Sequence, residues 1–358
     1  MTQQTRKIKL TDLKVFCEKA LIKEGMPEEN ARITAEVLAE TDAYGTHSHG
    51  TANLFNYIRK AKAGGLDLNA NPVVVREGPA FAITDGQNGM GMVPAYKGME
   101  LACEKAKATG IGIVTVKNST HFGAAGYYAN MAAFQGMFGI AMSNVDPNMT
   151  VPGARGMLIG NNPLAYAAPS TDPPTIFLDI ALSNVASLKV VTARKEGKSI
   201  PDTWIVDKDG LPTTDPGHYP EEGAMQPMAA HKGYGLAVMI EMLTGGLSGG
   251  CMSMLDNIVS WLFEIEEPNR VCHTFIAIDI EQFIGKEAFV KRMDAMAEAL
   301  RNAPKAKGSD RIYTPGEMEW ANYERAEAGM VLPPNLVESL EALQTHSGVA
   351  INWMEEEV

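Results

Sequence analysis

The chain has 358 residues, 45% of them hydrophobic and 21% charged, with a formal net charge of -12. That length supports two ordinary domains or one large one around a substantial core. The acidity, with no run of Lys or Arg, argues against a nucleic-acid partner, and no uncharged apolar run reaches the roughly 18 residues of a membrane span.

The opening MTQQTRKIKLTDLKVF lacks an apolar core followed by a small-residue cleavage site, and Cys17, Cys103, Cys251 and Cys272 form no CxxC pair. Both features point to a cytoplasmic protein with reduced thiols. Residues 11–44 read as two helices: Thr11 caps the first, Gly25 ends it, and Pro27 with Glu28 and Glu29 opens the second. GTHSHG at 45–50 breaks that pattern, and a helix from Ala52 to Ala63 follows, stopped by Gly64 and Gly65. Short β-like runs then alternate with helices: strands at 73–76 and 81–84, a helix at 92–108, a strand at 112–116, a helix at 124–135 and a strand at 139–144. The alternation continues with a strand at 175–181, helices at 183–195 and 233–244, and a strand at 273–280. The Pro- and Thr-rich stretch 200–217 reads as irregular, and loops that long are often functional. Segments 284–302, 316–328 and 334–345 read as helices, and the final MEEEV as a solvated acidic end.

No GxGxxG follows a strand and no Walker lysine motif is present, so neither a Rossmann unit nor a P-loop is indicated. GGLSGG at 245–250 follows a helix and reads as a flexible cap. His47 and His49 flank Ser48, but no HExxH or Cys cluster completes a ligand set, so no metal is expected. A Ser–His pair at a helix start is by default a turn that bonds its own backbone. A functional role needs a second converging group. VKNSTHFGAAGYY at 116–128 offers one: His121 falls at a strand-to-helix turn, and Gly123, Ala124, Ala125 and Gly126 let a ligand approach a helix N-terminus that favours anions. An imidazole there suits acid/base work; a buried histidine satisfied by its neighbours is the other reading.

The ordered stretches THSHG (46–50), TDGQNGMG (84–91), NSTHFGAAGYY (118–128), GNNPLAYAAP (160–169), FLDIALS (177–183), IPDTWIVDKDGLPTTDP (200–216), HKGYGLAVMIEMLTG (231–245) and YTPGE (313–317) resemble the malate/L-lactate/ureidoglycolate dehydrogenase family, the non-Rossmann NAD(P)-dependent 2-oxoacid reductases. The resemblance covers nearly the whole chain, and 200–216 is most similar to the ureidoglycolate dehydrogenase branch. It implies an α/β (α+β) fold with its own cofactor-binding architecture, a largely antiparallel sheet flanked by a helical part built from both chain ends. In that division, 1–70 packs with the C-terminal helices of 284–358, and 71–283 forms the cofactor and substrate domain. The implied activity is hydride transfer between NAD(H), favoured over NADP(H), and a small 2-hydroxy or 2-oxo acid, in a homodimer or higher homo-oligomer.

Residue by residue, the resemblance implies that His49 is a proton donor oriented by Ser48 and Asp179, while His121 matches the acid/base histidine of the ureidoglycolate branch; both stay candidate donors. Val145, Asp146, Asp179, Ile180, Ala181, Lys232, Gly233, Gly316, Glu317 and Met318 match positions around the cofactor, with Lys232 an expected phosphate or ribose partner. Substrate contacts are expected from Asn53, Tyr57, Arg59 and Arg155. Two departures stand out. Asn53 occupies the place, three after the SHG glycine, where the family usually has an arginine suited to clamping a carboxylate. Either Arg59 or Arg155 replaces that cation, or the substrate differs from a simple 2-oxo acid. Val145 stands where the ureidoglycolate branch has serine, which leaves backbone contact only. The reading from another class is a non-catalytic nucleotide-binding protein that keeps the fold, favoured by Asn53 alone.

Overall fold

The structure, a computed structural model, describes residues 5–355. The first four residues of the opening segment and the last three of the acidic end lie outside the described residues. Strand β1 (Arg6–Ile8) leads into α1 (Leu10–Lys23), α2 (Glu28–Ala43) and α3 (Leu54–Ala63). These helices stop where the sequence placed glycines: Gly25 and Gly64 take φ of 93° and 95°, values that side chains rarely adopt.

The hairpin β2 (Val73–Gly78) and β3 (Phe81–Asp85) is followed by α4 (Met92–Thr109), β4 (Ile111–Ser119), α5 (Ala125–Phe134), β5 (Met137–Ser143), β6 (Leu164–Pro169) and β7 (Thr175–Ile180). Beyond these come α6 (Ser187–Glu196), the two-residue strands β8 (Ile205–Val206), β9 (Pro212–Thr213) and β10 (Ala224–Met225), α7 (His231–Glu241), β11 (Val271–Asp279), α8 (Lys286–Arg301), α9 (Glu317–Glu327), β12 (Met330–Leu332) and α10 (Pro334–Ser347).

Seven strands form the main sheet in the order β2-β3-β4-β11-β5-β6-β7, every pair antiparallel except β3 with β4. Helices α4 and α5 cover one face, and missing side chains bring them close: a Cβ on Gly112 would stand 2.0 Å from the Ala102 carbonyl oxygen, and one on Gly139 2.4 Å from that of Ala129. A second buried cluster, including Met142, Leu182, Val190, Ile205, Met225 and Ile240, joins α6, α7 and the small strands to the sheet. The stretch 200–217 is thus not wholly irregular, because β8 and β9 join β10 in a three-stranded sheet ordered β10-β8-β9. Strands of two residues carry no alternation to read.

The chain ends meet as expected. β1 pairs antiparallel with β12, and the buried side chains of α1, α2, α3, α9 and α10 share one core. Helix α8 departs from that picture: only Ala297 is buried, and its anchors are Asp294 accepting from Thr171 and Arg301 bonded to the Asp172 carbonyl, on the loop between β6 and β7. Its apolar stripe, Phe289, Val290, Met293, Met296 and Leu300, is left half-buried or exposed instead of packing on the N-terminal helices.

Candidate active site

GTHSHG folds as a 3-10 turn, His47–His49, pinned to the end of α2 by one buried carboxylate. Asp42 Oδ1 accepts from His47 Nδ1 at 2.9 Å, and Oδ2 accepts from the backbone N–H and hydroxyl of Thr51 at 2.9 and 2.6 Å. Gly50 makes room for this, since a Cβ there would stand 2.2 Å from Asp42 Oδ1. Asn53 donates its amide to the Ser48 carbonyl at 2.8 Å, so the residue in the arginine's place braces the turn itself. Ser48 Oγ lies 2.8 Å from His49 Nδ1.

His121 follows β4, on a bed made by the TDGQNGMG loop. Gly91 donates to Thr120 Oγ1 at 2.9 Å, and a Cβ on Gly91 would lie 2.4 Å from the His121 carbonyl oxygen. Asn269 Oδ1 accepts from the His121 backbone N–H at 3.1 Å. The buried Tyr57 hydroxyl is 2.5 Å from His121 Nδ1, and the half-buried Trp261 stacks on His121 with centroids 4.8 Å apart. The rings of His49 and His121 are 5.4 Å apart, so the structure brings the two candidate donors together. Beneath them, His273 bridges Ser143 and Ser119 with both ring nitrogens at 2.8 Å.

Burial holds the His121 imidazole well below its ordinary pKa, with His49 and His273 adding to the depression. Burial also lowers His49. His49 nevertheless has an exposed surface. The two facts fit a concave site, walled by protein yet open to water, in which both rings are neutral at pH 7.

Asp179, at the end of β7, does not orient His49. Its Oδ2 accepts from the Gly126 N–H at 2.7 Å, at the start of α5, where the helix dipole and a free donor favour a carboxylate. Desolvation by the surrounding protein pushes its pKa up to about 6, opposed by the Gly126 bond and helped by Glu319. The residue is exposed, so water weakens this shift without reversing it. Asp146 is likewise pushed to about 6, chiefly by burial.

Several of the expected cofactor residues are tied together by main-chain bonds. Met228 links two of them, donating to the Leu182 carbonyl at 2.7 Å and accepting from Gly233 N at 2.9 Å, which sets the end of β7 beside the start of α7. Asn162 links a third, accepting from Val145 N at 3.2 Å and donating to the α7 carbonyl of Ala237 at 3.1 Å. Pro315 accepts from Phe177 N at 3.2 Å, placing Gly316 against β7, while Met318 is exposed. Lys232 is exposed in the first turn of α7, directly after Ala229 and Ala230 at φ of 48° and 51°. Such strain persists where surroundings fix the backbone, and it gathers at ligand sites.

Two expected contacts, Glu317 and Arg59, face elsewhere. The Glu317 carboxylate is buried and bonded to Arg301, Arg311 and Thr314, which leaves it no free face for a cofactor. Arg59 is exposed, and lies two positions after Tyr57 on α3, about 200° around the helix from the side chain that meets His121. Arg155 stands on an exposed loop beside a groove of about 230 Å³ between Thr150–Ala154, Val206 and Ala230. A roomier cavity of about 430 Å³ lies among Glu36, Tyr96, Tyr127 and Tyr323, away from the histidines. Asp42, Asn162, Asn269, Trp261 and Lys60 were not singled out by the sequence. Only Asn162 lay in a quoted motif, and the others act through contacts distant in sequence.

A family model described as malate/L-lactate dehydrogenase matches residues 8–341. A malate dehydrogenase of Pyrococcus horikoshii is 39% identical over 342 residues, covering 93% of this chain and 93% of that protein. A ureidoglycolate dehydrogenase (NAD(+)) of Escherichia coli is 34% identical, with 87% of this chain and 88% of that protein covered. The solved structure of a sulfolactate dehydrogenase from Methanocaldococcus jannaschii superposes with a TM-score of 0.87 at 36% identity, covering 96% of this chain and 98% of that one.

Proposed function

The chain belongs to the malate/L-lactate dehydrogenase family, and on that premise we propose that it interconverts a small 2-hydroxy acid and its 2-oxo acid at the paired imidazoles of His49 and His121. It is an NAD(P)-dependent dehydrogenase. The observation that carries the site is the pairing itself: two imidazoles 5.4 Å apart, each with a hydroxyl on Nδ1 and, among the described residues, no hydrogen-bond partner on Nε2.

When bound, the nicotinamide supplies or takes the hydride. The residues present fit such a group: Asp179, Ile180 and Ala181, Lys232 and Gly233, Gly316 and Met318, and the backbone of Val145 and Asp146 would hold it, with Lys232 offering a point charge to phosphate. His121 exchanges the hydroxyl proton through Nε2. A tyrosine hydroxyl can donate to Nδ1 or accept from it, so Tyr57 keeps the ring in one orientation in both protonation states. Burial raises the Tyr57 pKa far above its ordinary value and keeps the phenol neutral. His49, nearer solvent and steadied by Ser48, binds the carbonyl or carboxylate oxygen.

NAD(H) is favoured over NADP(H) in this reading, while relatives carry NAD(+) and NADP(+) in their names, so turnover with each cofactor decides the preference. Malate, sulfolactate and ureidoglycolate, named for the relatives, define the substrate class: a small 2-hydroxy acid with a second polar group. A cytoplasmic location, a homodimer or higher assembly, and the division into 1–70 with 284–358 around 71–283 belong to the same proposal. The test is absorbance at the reduced-nicotinamide band with a panel of dicarboxylic, sulfonated and ureido 2-oxo acids and both cofactors. Turnover of at least one acid, undiminished by a chelator, is the expected result. No turnover with tight nicotinamide binding would favour a non-catalytic binder, and activity lost to chelator and restored by zinc would demand a metal.

A further inference from the structure

We propose that Trp261 is a positioning residue for this reaction: its indole lies across the hydrogen-bonded Tyr57–His121 pair and fixes the plane from which His121 meets the substrate. This rests on the reading of His121 as the proton-exchanging group. The geometry is specific. The indole is 4.8 Å from the Tyr57 ring at 28° and 4.8 Å from the His121 ring at 24°. The two covered rings are 6.0 Å apart at 24°, and their OH···N contact is 2.5 Å, the arrangement of two nearly coplanar rings joined edge to edge. One flat surface thus backs both members of the pair.

The loop that carries Trp261 is held for this purpose by unusual means. Lys60, fully buried and one turn after Tyr57 on α3, donates to the main-chain carbonyls of Glu264 and Glu267 at 2.8 and 2.5 Å. Burying an ammonium is expensive unless it is fully bonded, and here both partners lie on this loop. Asn269 closes the other end, donating to the Val259 carbonyl and accepting from the His121 backbone N–H. The neighbours Leu262 and Phe263 are 40% and 76% exposed, so these two side chains do not anchor the loop. A support shell of this kind fixes an orientation, and a stacked indole also tolerates the imidazolium, through its π face, when the proton is taken up.

The titratable groups acting on His121 are His49 from the turn, His273 from β11 and Tyr57 from α3; Trp261 and Asn269 from the loop carry no charge, and the charge of Lys60 is bonded to loop carbonyls. Because burial is the leading cause of the depressed His121 pKa, removing the indole admits water and raises it.

The experiment follows the His121 ring by NMR in histidine-labelled protein, alongside the pH profile of kcat for hydroxy-acid oxidation. In Trp261→Ala the titration moves to higher pH, the acid limb of kcat moves with it, and kcat falls roughly tenfold or more while nicotinamide Kd stays within about twofold. Trp261→Phe retains a ring and recovers most of the loss. Should the alanine variant fail to fold, tryptophan emission in the unsubstituted protein gives the answer: a quench as His121 protonates, absent from Trp261→Phe and from His121→Gln. An unmoved titration, or a quench that persists in Trp261→Phe, overturns the proposal. A titration that moves while the rate limb stays overturns His121 as the proton-exchanging group instead.

Discussion

Asn53 shows how a single side chain divides between structure and specificity. Its amide donates to the Ser48 carbonyl, so the residue is fixed within reach of the Ser48–His49 turn but brings no charge. An Asn53→Arg substitution removes that brace and adds a planar cation beside His49. We expect KM for pyruvate to fall by about tenfold, worth about 1.4 kcal/mol, with kcat on the native substrate impaired. An unchanged KM for pyruvate would place the carboxylate elsewhere in the site. His121→Gln is expected to lower kcat by about 10² with nicotinamide Kd nearly intact, which stopped-flow binding and steady-state rates resolve separately. At this scale the sequence singled out His49 and His121 by their local chemistry and Lys232 through the family resemblance, and the structure sets the two imidazoles side by side. Tyr57 was legible only as a substrate contact, because its bond to His121 spans 64 positions. The partner of Asp179 could not be read from the sequence, since Gly126 lies 53 positions away and nothing local points to it.

Elements were readable where punctuation marks them. Gly25, Pro27 and Gly64 set the ends of α1, α2 and α3, whereas Ala186 stays extended and delays α6 to Ser187. β6 was missed because LAYAAP alternates only alanine with larger groups, a weak pattern beside a proline. The active turn offers a direct test of how an element is specified. Gly50 has φ of -91°, which any residue adopts, so glycine is needed there for space alone: a Cβ would stand 2.2 Å from Asp42 Oδ1. Gly50→Ala therefore displaces either the carboxylate or the turn. Displacing a buried carboxylate from its donors costs about 3 kcal/mol or more. We expect a lower Tm together with a loss of kcat, since the Asp42 bonds and the His49 position move as one. A variant with wild-type kcat and Tm would show that the turn yields without consequence.

At the scale of the molecule, the sequence could not show that β11, late in the chain, enters the middle of the sheet between β4 and β5. Its apolar run fits any buried strand, and the pairing partners lie more than a hundred residues away. That topology buries His273 completely and pins both its nitrogens to serines on the flanking strands, which burial translates into a pKa lowered to about 3. The imidazole is therefore neutral in the fold and protonates near 6.5 once unfolded. Between those values the unfolded state binds more protons, so stability is present above about pH 6.5 and is lost as pH falls toward 3. The full loss from this group is on the order of 5 kcal/mol. Asp179 and Asp146 act in the opposite sense: their raised values favour the fold as pH falls through about 6, which softens the upper part of the decline. Thermal melts from pH 7 to pH 4 isolate the histidine by difference. His273→Gln is expected to lower Tm at pH 7, because one serine loses its partner, but to show a shallower fall on acidification than the unsubstituted protein. Parallel curves for the two proteins would mean that His273 does not link the central strand pairing to acid stability, and that the decline has its source in other groups of the fold.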